Sequence, residues 1–200
     1  MSATNTRLRT VAKWSAVPVG LIVSAALVWQ ASYSAFSATT VNPGNSWATG
    51  TVVLSDDDAS NTAMFTATVL KPGSTGEKCI LVTSSGTLAS TVKLYATSPS
   101  TTLALNTYID VVVTQGTGAT FAGGCGSFVA DAGAPNTFTG TLAAFGTTYT
   151  TFANGLGTWA PAAGTVTKAY KVSYTVNAAT PNSAQGGTAA VGFTWEAQNS

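Results

Sequence analysis

The chain of 200 residues contains no histidine. Ser-His-Asp triads, Cys-His pairs and the His-rich sites that hold catalytic zinc all depend on an imidazole group. The sequence therefore excludes these classes of hydrolase and metalloprotease. We expect neither enzymatic activity nor a cofactor.

Charged residues are also scarce, at 8% of the chain with a formal net charge of +1. The solvated faces of a helical bundle need many Lys, Glu, Arg and Gln residues, and a nucleic-acid surface needs clustered cations. The composition therefore excludes a helical bundle and a nucleic-acid-binding protein. Thr (35 residues) and Ser (19) supply most of the polarity, while 45% hydrophobic residues are enough for a buried core and too many for intrinsic disorder.

The N-terminal region has the layout of a secretory signal, with a basic start, an apolar segment and then small residues. An uncharged run covers residues 14–29, which is short of the roughly 20 residues that span a bilayer. We therefore predict that residues 1–34 are a signal removed by a signal peptidase between Ser34 and Ala35, and that only the precursor is tethered to the membrane. The alternative is a permanent anchor. Three cations precede the run: Arg7, Arg9 and Lys13.

The only two cysteines, Cys79 and Cys125, lie in the part of the chain that we expect to be exported. An even number of cysteines in an oxidising compartment indicates a disulfide, the alternative being two buried thiols. A thiol redox enzyme would need a C-x-x-C motif, which the sequence lacks.

Alternation of apolar and polar residues is clearest at 170–176 and 191–198, and it predicts β-strands. We predict one all-β domain over 50–200, an antiparallel sandwich of about seven to nine strands. Segment 142–154 could instead contain a short helix, because its aromatic residues are three or four apart. The other predicted strands are 50–54, 62–70, 78–84, 90–96, 107–114, 137–143 and 147–152.

The only acidic cluster is formed by Asp56, Asp57 and Asp58. Three adjacent carboxylates could bind a hard cation such as calcium, or they could form a solvated turn. Because the alternate-residue spacing of a calcium loop is missing, we favour the turn and predict no metal site.

Aromatic residues suggest a second function, a sugar-stacking platform on the sandwich. The alternation around Trp195 places it in the core, whereas Trp47 and Trp159 lie in loops rich in Gly and Pro and could be exposed. The tyrosines considered with them are Tyr95, Tyr108 and Tyr149.

The arm that would follow signal cleavage, residues 35–49, has strand-forming residues and no charge. Pro43 and Gly44 interrupt it, so a donor strand that pairs with a neighbouring molecule would end near Asn42. The alternative is that the arm pairs within its own domain. The candidate donor residues are Ala35, Phe36, Ser37, Ala38, Thr39, Thr40, Val41 and Asn42.

Five short segments, in this order and spacing, resemble the TasA and camelysin family of exported bacterial proteins, especially its actinobacterial members with two cysteines. The segments are Ala35-Phe36-Ser37, Gly50-Thr51-Val52-Val53-Leu54, Leu70-Lys71-Pro72-Gly73, Ser85-Gly86-Thr87-Leu88 and Phe193-Thr194-Trp195-Glu196-Ala197-Gln198. The resemblance implies a jelly-roll domain, processing by a dedicated signal peptidase and assembly into biofilm-matrix fibres.

The same resemblance implies that residues 35–42 of one subunit add as a strand to the next, so that the main partner is a second copy of the chain. Matrix polysaccharide is a further partner that we consider. Camelysins are also described as metallopeptidases, but this chain lacks the histidine that would supply most of the zinc ligands. The alternative function is a monomeric secreted adhesin or glycan-binding module.

Overall fold

A computed structural model describes residues 37–39, 50–58 and 62–199. By its contacts the chain divides into two units, Met1–Ala35 and Phe36–Ser200, and all of the described residues belong to the second. The predicted signal, its cleavage site, Trp47 and the rest of the arm lie outside the described residues. Among the helices of the described part, none is both long enough and apolar enough to cross a bilayer.

The described chain forms two antiparallel sheets, as the alternation of the sequence predicts. The smaller sheet has the strand order β1, β9, β4. Its strands are β1 (Ser37–Thr39), β4 (Ser90–Thr101) and β9 (Ala189–Asn199).

The larger sheet has the order β2, β3, β8, β5, β6, and β7 also pairs with β5. Its long strands are β3 (Thr75–Ser84), β5 (Ile109–Thr117) and β8 (Val166–Val176). Its short strands are β2 (Leu54–Asp56), β6 (Val129–Ala130) and β7 (Thr137–Thr141). Nine strands confirm the prediction of an all-β sandwich.

The core lies between the sheets and is built from alternate residues of the long strands. Val92 and Leu94 of β4 are fully buried, and so are Val113 of β5 and Tyr170 of β8. Tyr170 meets Trp195 of β9 edge to face at 5.4 Å between ring centroids, which joins the two sheets. The burial of Trp195 confirms its predicted place in the core.

The predicted strand at 62–70 is wrong. This segment has no regular structure, although Met64, Phe65 and Leu70 pack against the core. Val69 has a φ of 56° and is 97% exposed. A β-branched residue in the left-handed region cannot continue a pleated strand, and composition alone does not reveal that conformation. The strand predicted at 50–54 begins only at Leu54 and ends at Asp56.

The short helix left open at 142–154 is present as α1 (Leu142–Thr148), so the alternative strand at 147–152 is wrong. Thr141 caps it, since its Oγ1 accepts the Ala144 N–H at 3.1 Å. Phe145 and Tyr149 are one turn apart, with ring centroids at 5.4 Å, and Phe145 also contacts Phe193 of β9. This aromatic packing favours the helix over an extended strand.

The predicted disulfide between Cys79 and Cys125 is present. Cys79 alternates with the core residue Ile80 along β3, so it lies on the opposite face of the larger sheet. There it forms a second buried cluster with Ala119 and Ala169. The bridge therefore holds the loop 118–128, between β5 and β6, against the outer face of this sheet.

Reduction of the disulfide should destabilise the domain without changing its sheets. The bridge closes a loop between cysteines separated by 46 residues, for which chain entropy gives about 3 to 4 kcal/mol of stabilisation. Urea unfolding with and without a reductant measures the loss. The double variant Cys79→Ala/Cys125→Ala is the control and should not respond to reductant; a wild-type protein that is equally insensitive would contradict the prediction.

Candidate functional site

The edge of the smaller sheet is the place where the N-terminal arm meets the domain. β1 runs antiparallel to β9, with Ser37 opposite Gln198, Ala38 opposite Ala197 and Thr39 opposite Glu196. Three of the eight candidate donor residues are thus paired within their own chain in the isolated molecule. The sequence left open the alternative that the arm pairs within its own domain, and these three residues are paired in that way. The strand edge that accepts them is that of β9.

Beyond Thr39, no described residue pairs with β9 on the β1 side. The N–H groups of Val92, Leu94 and Ala96 on β4 bond to the segment 149–161 and therefore point away from β9. The hydrogen bonds between β4 and β9 then join odd-numbered residues of β4 to even-numbered residues of β9. In an antiparallel ladder, the odd-numbered residues of β9 then direct their N–H and C=O groups to the β1 edge. Val191 and Phe193 form no backbone hydrogen bond with other described residues on that edge.

The opposite edge of the smaller sheet is closed. Along β4, the N–H groups bond to the carbonyls of Tyr149, Leu156, Trp159 and Pro161 at 2.8 to 3.1 Å. This segment has no strand of its own and still satisfies the backbone of β4. Consequently, among the described residues, β9 provides the accessible edge of this sheet.

Polar contacts fix the outer face beside the β1 edge. The Tyr95 hydroxyl donates to Glu196 Oε2 at 2.8 Å, and the Gln198 amide donates to Glu196 Oε1 at 2.8 Å. Burial and the Glu196 carboxylate raise the pKa of Tyr95 to about 12. The Tyr95 hydroxyl and the Gln198 amide therefore hold the Glu196 carboxylate in place on the outer face of the accepting strand.

The acidic cluster has a structural role that the sequence did not show. Asp57 Oδ1 accepts the Leu81 N–H at 2.8 Å and Oδ2 accepts the Phe121 N–H at 2.6 Å, so this carboxylate ties the loop 118–128 to β3. Asp58 accepts the Thr62 hydroxyl. No group of acidic residues or cysteines suited to a metal ion occurs in the described parts of the chain.

The pKa of Asp56 is raised, first by burial and then by the charges of Asp58 and Asp57, which together outweigh the N–H that Asp58 donates to it. The carboxylates of this cluster thus differ in their surroundings. The ionised form of Asp56 is disfavoured by its surroundings, whereas Asp57 is satisfied by two backbone donors that lie 24 and 64 residues away.

Asp57→Ala should cost about 2 to 4 kcal/mol of unfolding free energy, because two backbone donors lose a charged acceptor. Asp56→Ala is the matched control, and it should cost less than about 1 kcal/mol, since its acceptor serves one N–H within the same turn. Urea unfolding measures both variants. Equal losses would show that the carboxylate of Asp57 does not anchor the loop.

A second polar cluster lies between β5, β8 and the chain after β6. The Gln115 amide is buried and donates to Asp131 Oδ2 at 2.7 Å, while Lys168 Nζ contacts the same oxygen at 2.9 Å. Burial alone would raise the pKa of Asp131, but the hydrogen bonds from Lys168 and Gln115 and the charge of Lys168 lower it overall. Burial raises the pKa of Tyr170, whose hydroxyl faces Gln115.

The pKa of Asp131 predicts a loss of stability in acid. A lowered pKa means that the folded state prefers the ionised form, so its contribution is complete above the unfolded value of about 3.9 and disappears as the pH falls through the folded value. We expect Asp131→Asn to lose less stability than wild type between pH 7 and pH 3 in urea unfolding. Asp110→Asn is the control: this carboxylate accepts a 3.4 Å hydrogen bond from Asn177, and the variant should lose as much stability in acid as wild type. If the stability of all three proteins depends on pH in the same way, Asp131 does not stabilise the fold through its ionised form.

Four of the five aromatic residues considered for sugar stacking that the structure describes are buried or bonded within the domain. Trp159 is 5% exposed and Trp195 is 4% exposed. Tyr149 packs in the cluster around Phe145, and Tyr95 bonds to Glu196. The loop position of Trp159 suggested exposure, but its carbonyl bonds to the Val92 N–H, and this brings the ring into the core.

Comparison with known proteins adds no identification. No protein-family model matches the chain, and no curated protein has significant sequence similarity to it.

Proposed function

We propose that this chain is a secreted structural protein that polymerises into extracellular or cell-surface fibres, as in a biofilm matrix, through strand addition by its N-terminal arm. The observation that carries the proposal is the pairing of Ser37–Thr39 with the edge of β9. A backbone edge that accepts the arm of its own chain can accept the same arm from a neighbour, which is the basis of domain swapping. The resemblance to the TasA and camelysin family supports this choice.

The described pairing of the arm is short. Of its three residue pairs, Ala38–Ala197 is the hydrogen-bonded one, and it gives two backbone hydrogen bonds worth about 0.5 to 1.5 kcal/mol net each. Ordering the backbone costs about 1 to 2 kcal/mol per residue. The three described pairs therefore hold the arm weakly, and an arm from a neighbouring molecule would form the same hydrogen bonds in their place.

The register defines how far an added strand can extend. Continuing the observed pairing along β9 would place Asn42 of the donor opposite Phe193, whose backbone has no other described residue as a partner on that edge. Pro43 and Gly44 follow, and both residue types are depleted in strands, so we end the donor strand at Asn42. The donor segment in this proposal is residues 35–42, released when the signal is removed.

The described domain offers little for the alternative functions. It has no histidine and no cluster suited to a metal ion in its described residues, and Trp159 and Trp195 are buried. A head-to-tail exchange of arms is heterologous and gives open filaments. The proposal comprises a structural function, a jelly-roll arrangement of the strands, export by residues 1–34 and a second copy of the chain as the main partner.

Electron microscopy of the protein that begins at Ala35 tests polymerisation, and a cysteine pair tests the linkage. In Ser37→Cys/Gln198→Cys the two positions face each other at a non-hydrogen-bonded site, where Cα atoms are about 4.5 Å apart, within disulfide range. If arms are exchanged, oxidised filaments should run as a ladder of covalent multimers on a non-reducing gel. Filaments that yield only cross-linked monomers would refute exchange.

Two controls make this result specific. Thr91→Cys/Gln198→Cys joins β4 to β9 within one chain, so it should yield monomers whether or not arms are exchanged. Deletion of residues 35–42 should leave a folded monomer that does not elongate. Regular filaments from the deletion variant, or an absence of filaments from the intact protein, would contradict the proposed function.

A further inference from the structure

Cationic side chains are rare and unevenly placed along this chain. Both arginines lie in the first nine residues, and after Lys13 only five cations follow. All five belong to the described part of the structure: Lys71, Lys78, Lys93, Lys168 and Lys171. A protease that cuts after Lys or Arg has no other recognition residue between positions 14 and 200.

Four of these lysines lie inside long strands. Lys78 is on β3 beside the disulfide-bonded Cys79, Lys93 is on β4, and Lys168 and Lys171 are on β8. β8 is paired on both sides, β4 lies between β9 and the segment 149–161, and β3 is paired with β8 along its whole length. A protease cleft must take up several residues of extended chain, so these bonds become cleavable only when the sheet opens.

The ammonium groups of the same four lysines are also engaged. Lys168 pairs with Asp131 at 2.9 Å and Lys171 pairs with Glu77 at 3.3 Å. The other two are held without a carboxylate: Lys93 donates to the carbonyl of Gly157, and Lys78 lies 5.1 Å from the ring centroid of Phe121. Entry into an acidic specificity pocket would require each of these contacts to break.

Lys71 is different, because it is exposed in a turn before β3. The turn is closed by the Ser74 N–H, which donates to the Lys71 carbonyl at 2.9 Å, and Gly73 has a φ of 84°, as a type II turn requires. The residue that follows Lys71 is Pro72. Its ring removes the N–H and blocks the approach of the catalytic serine to the lysyl bond.

We propose that the folded domain resists serine proteases that cut after Lys or Arg, since the paired strands protect four lysyl bonds and Pro72 protects the fifth. Such a protease would leave residues 36–200 intact. The proposal does not depend on fibre formation, since every contact involved lies within one molecule.

Trypsin digestion of the full chain, followed by mass spectrometry, tests the proposal. The expected product starts no later than Trp14 and persists, whereas the reduced and urea-unfolded chain is cut after Lys78, Lys93, Lys168 and Lys171. Cleavage of the folded chain at those bonds should be about a thousandfold slower or more, because it tracks the small open population. Native cleavage at any of these four lysines at a rate near that of the unfolded chain would overturn the proposal.

Two variants show whether Lys71 is protected by Pro72 or because the protease cannot reach exposed segments of the folded domain. Thr66→Lys places a lysine before Ala67 in the exposed irregular segment and should be cut once in the native state. Pro72→Ala keeps Lys71 and should be cut once after it, with the rest of the domain intact. If Thr66→Lys is cut while Pro72→Ala is not, Pro72 does not protect Lys71, and that part of the proposal is wrong.

Discussion

Strands at the edge of an antiparallel sheet expose backbone N–H and C=O groups that need partners, and this constraint organises the described part of the protein. The edge of β4 is covered by an irregular segment whose carbonyls accept its N–H groups. The edge of β9 is covered over three residues by β1, and it has no lysine to discourage a second strand. The same backbone groups therefore complete the single molecule, and in the proposed function they would also pair with the arm of a neighbouring one.

The few charges of the chain hold its loops and strands in place. Asp57 connects the loop 118–128 to β3, and Asp131 connects Lys168 to Gln115. Because these ions are paired internally, the surface owes most of its polarity to Thr and Ser hydroxyls. In the proposed fibre, association with a partner would then depend on backbone pairing and apolar contact more than on complementary charge.

Much of the fold could be predicted because alternation is a local signal. β3, β4, β5, β8 and β9 all present apolar residues on one face, and each was found at or near its predicted position. The segment 62–70 has a similar composition but contains Val69 in the left-handed region and has no partner strand. The role of Asp57 could not be predicted, since an acidic triplet is typical of a turn and its donors lie far away in the sequence.

The sequence by itself determined what the protein lacks and how its strands alternate. The absence of histidine, the single pair of cysteines and the two-residue period are properties of composition and of near neighbours. Only the tertiary structure decided that the arm pairs with β9, that Trp159 is buried and that Asp57 anchors a loop. Each of these depends on contacts between residues distant in the chain, and such contacts form only when the two sheets and their loops are assembled together.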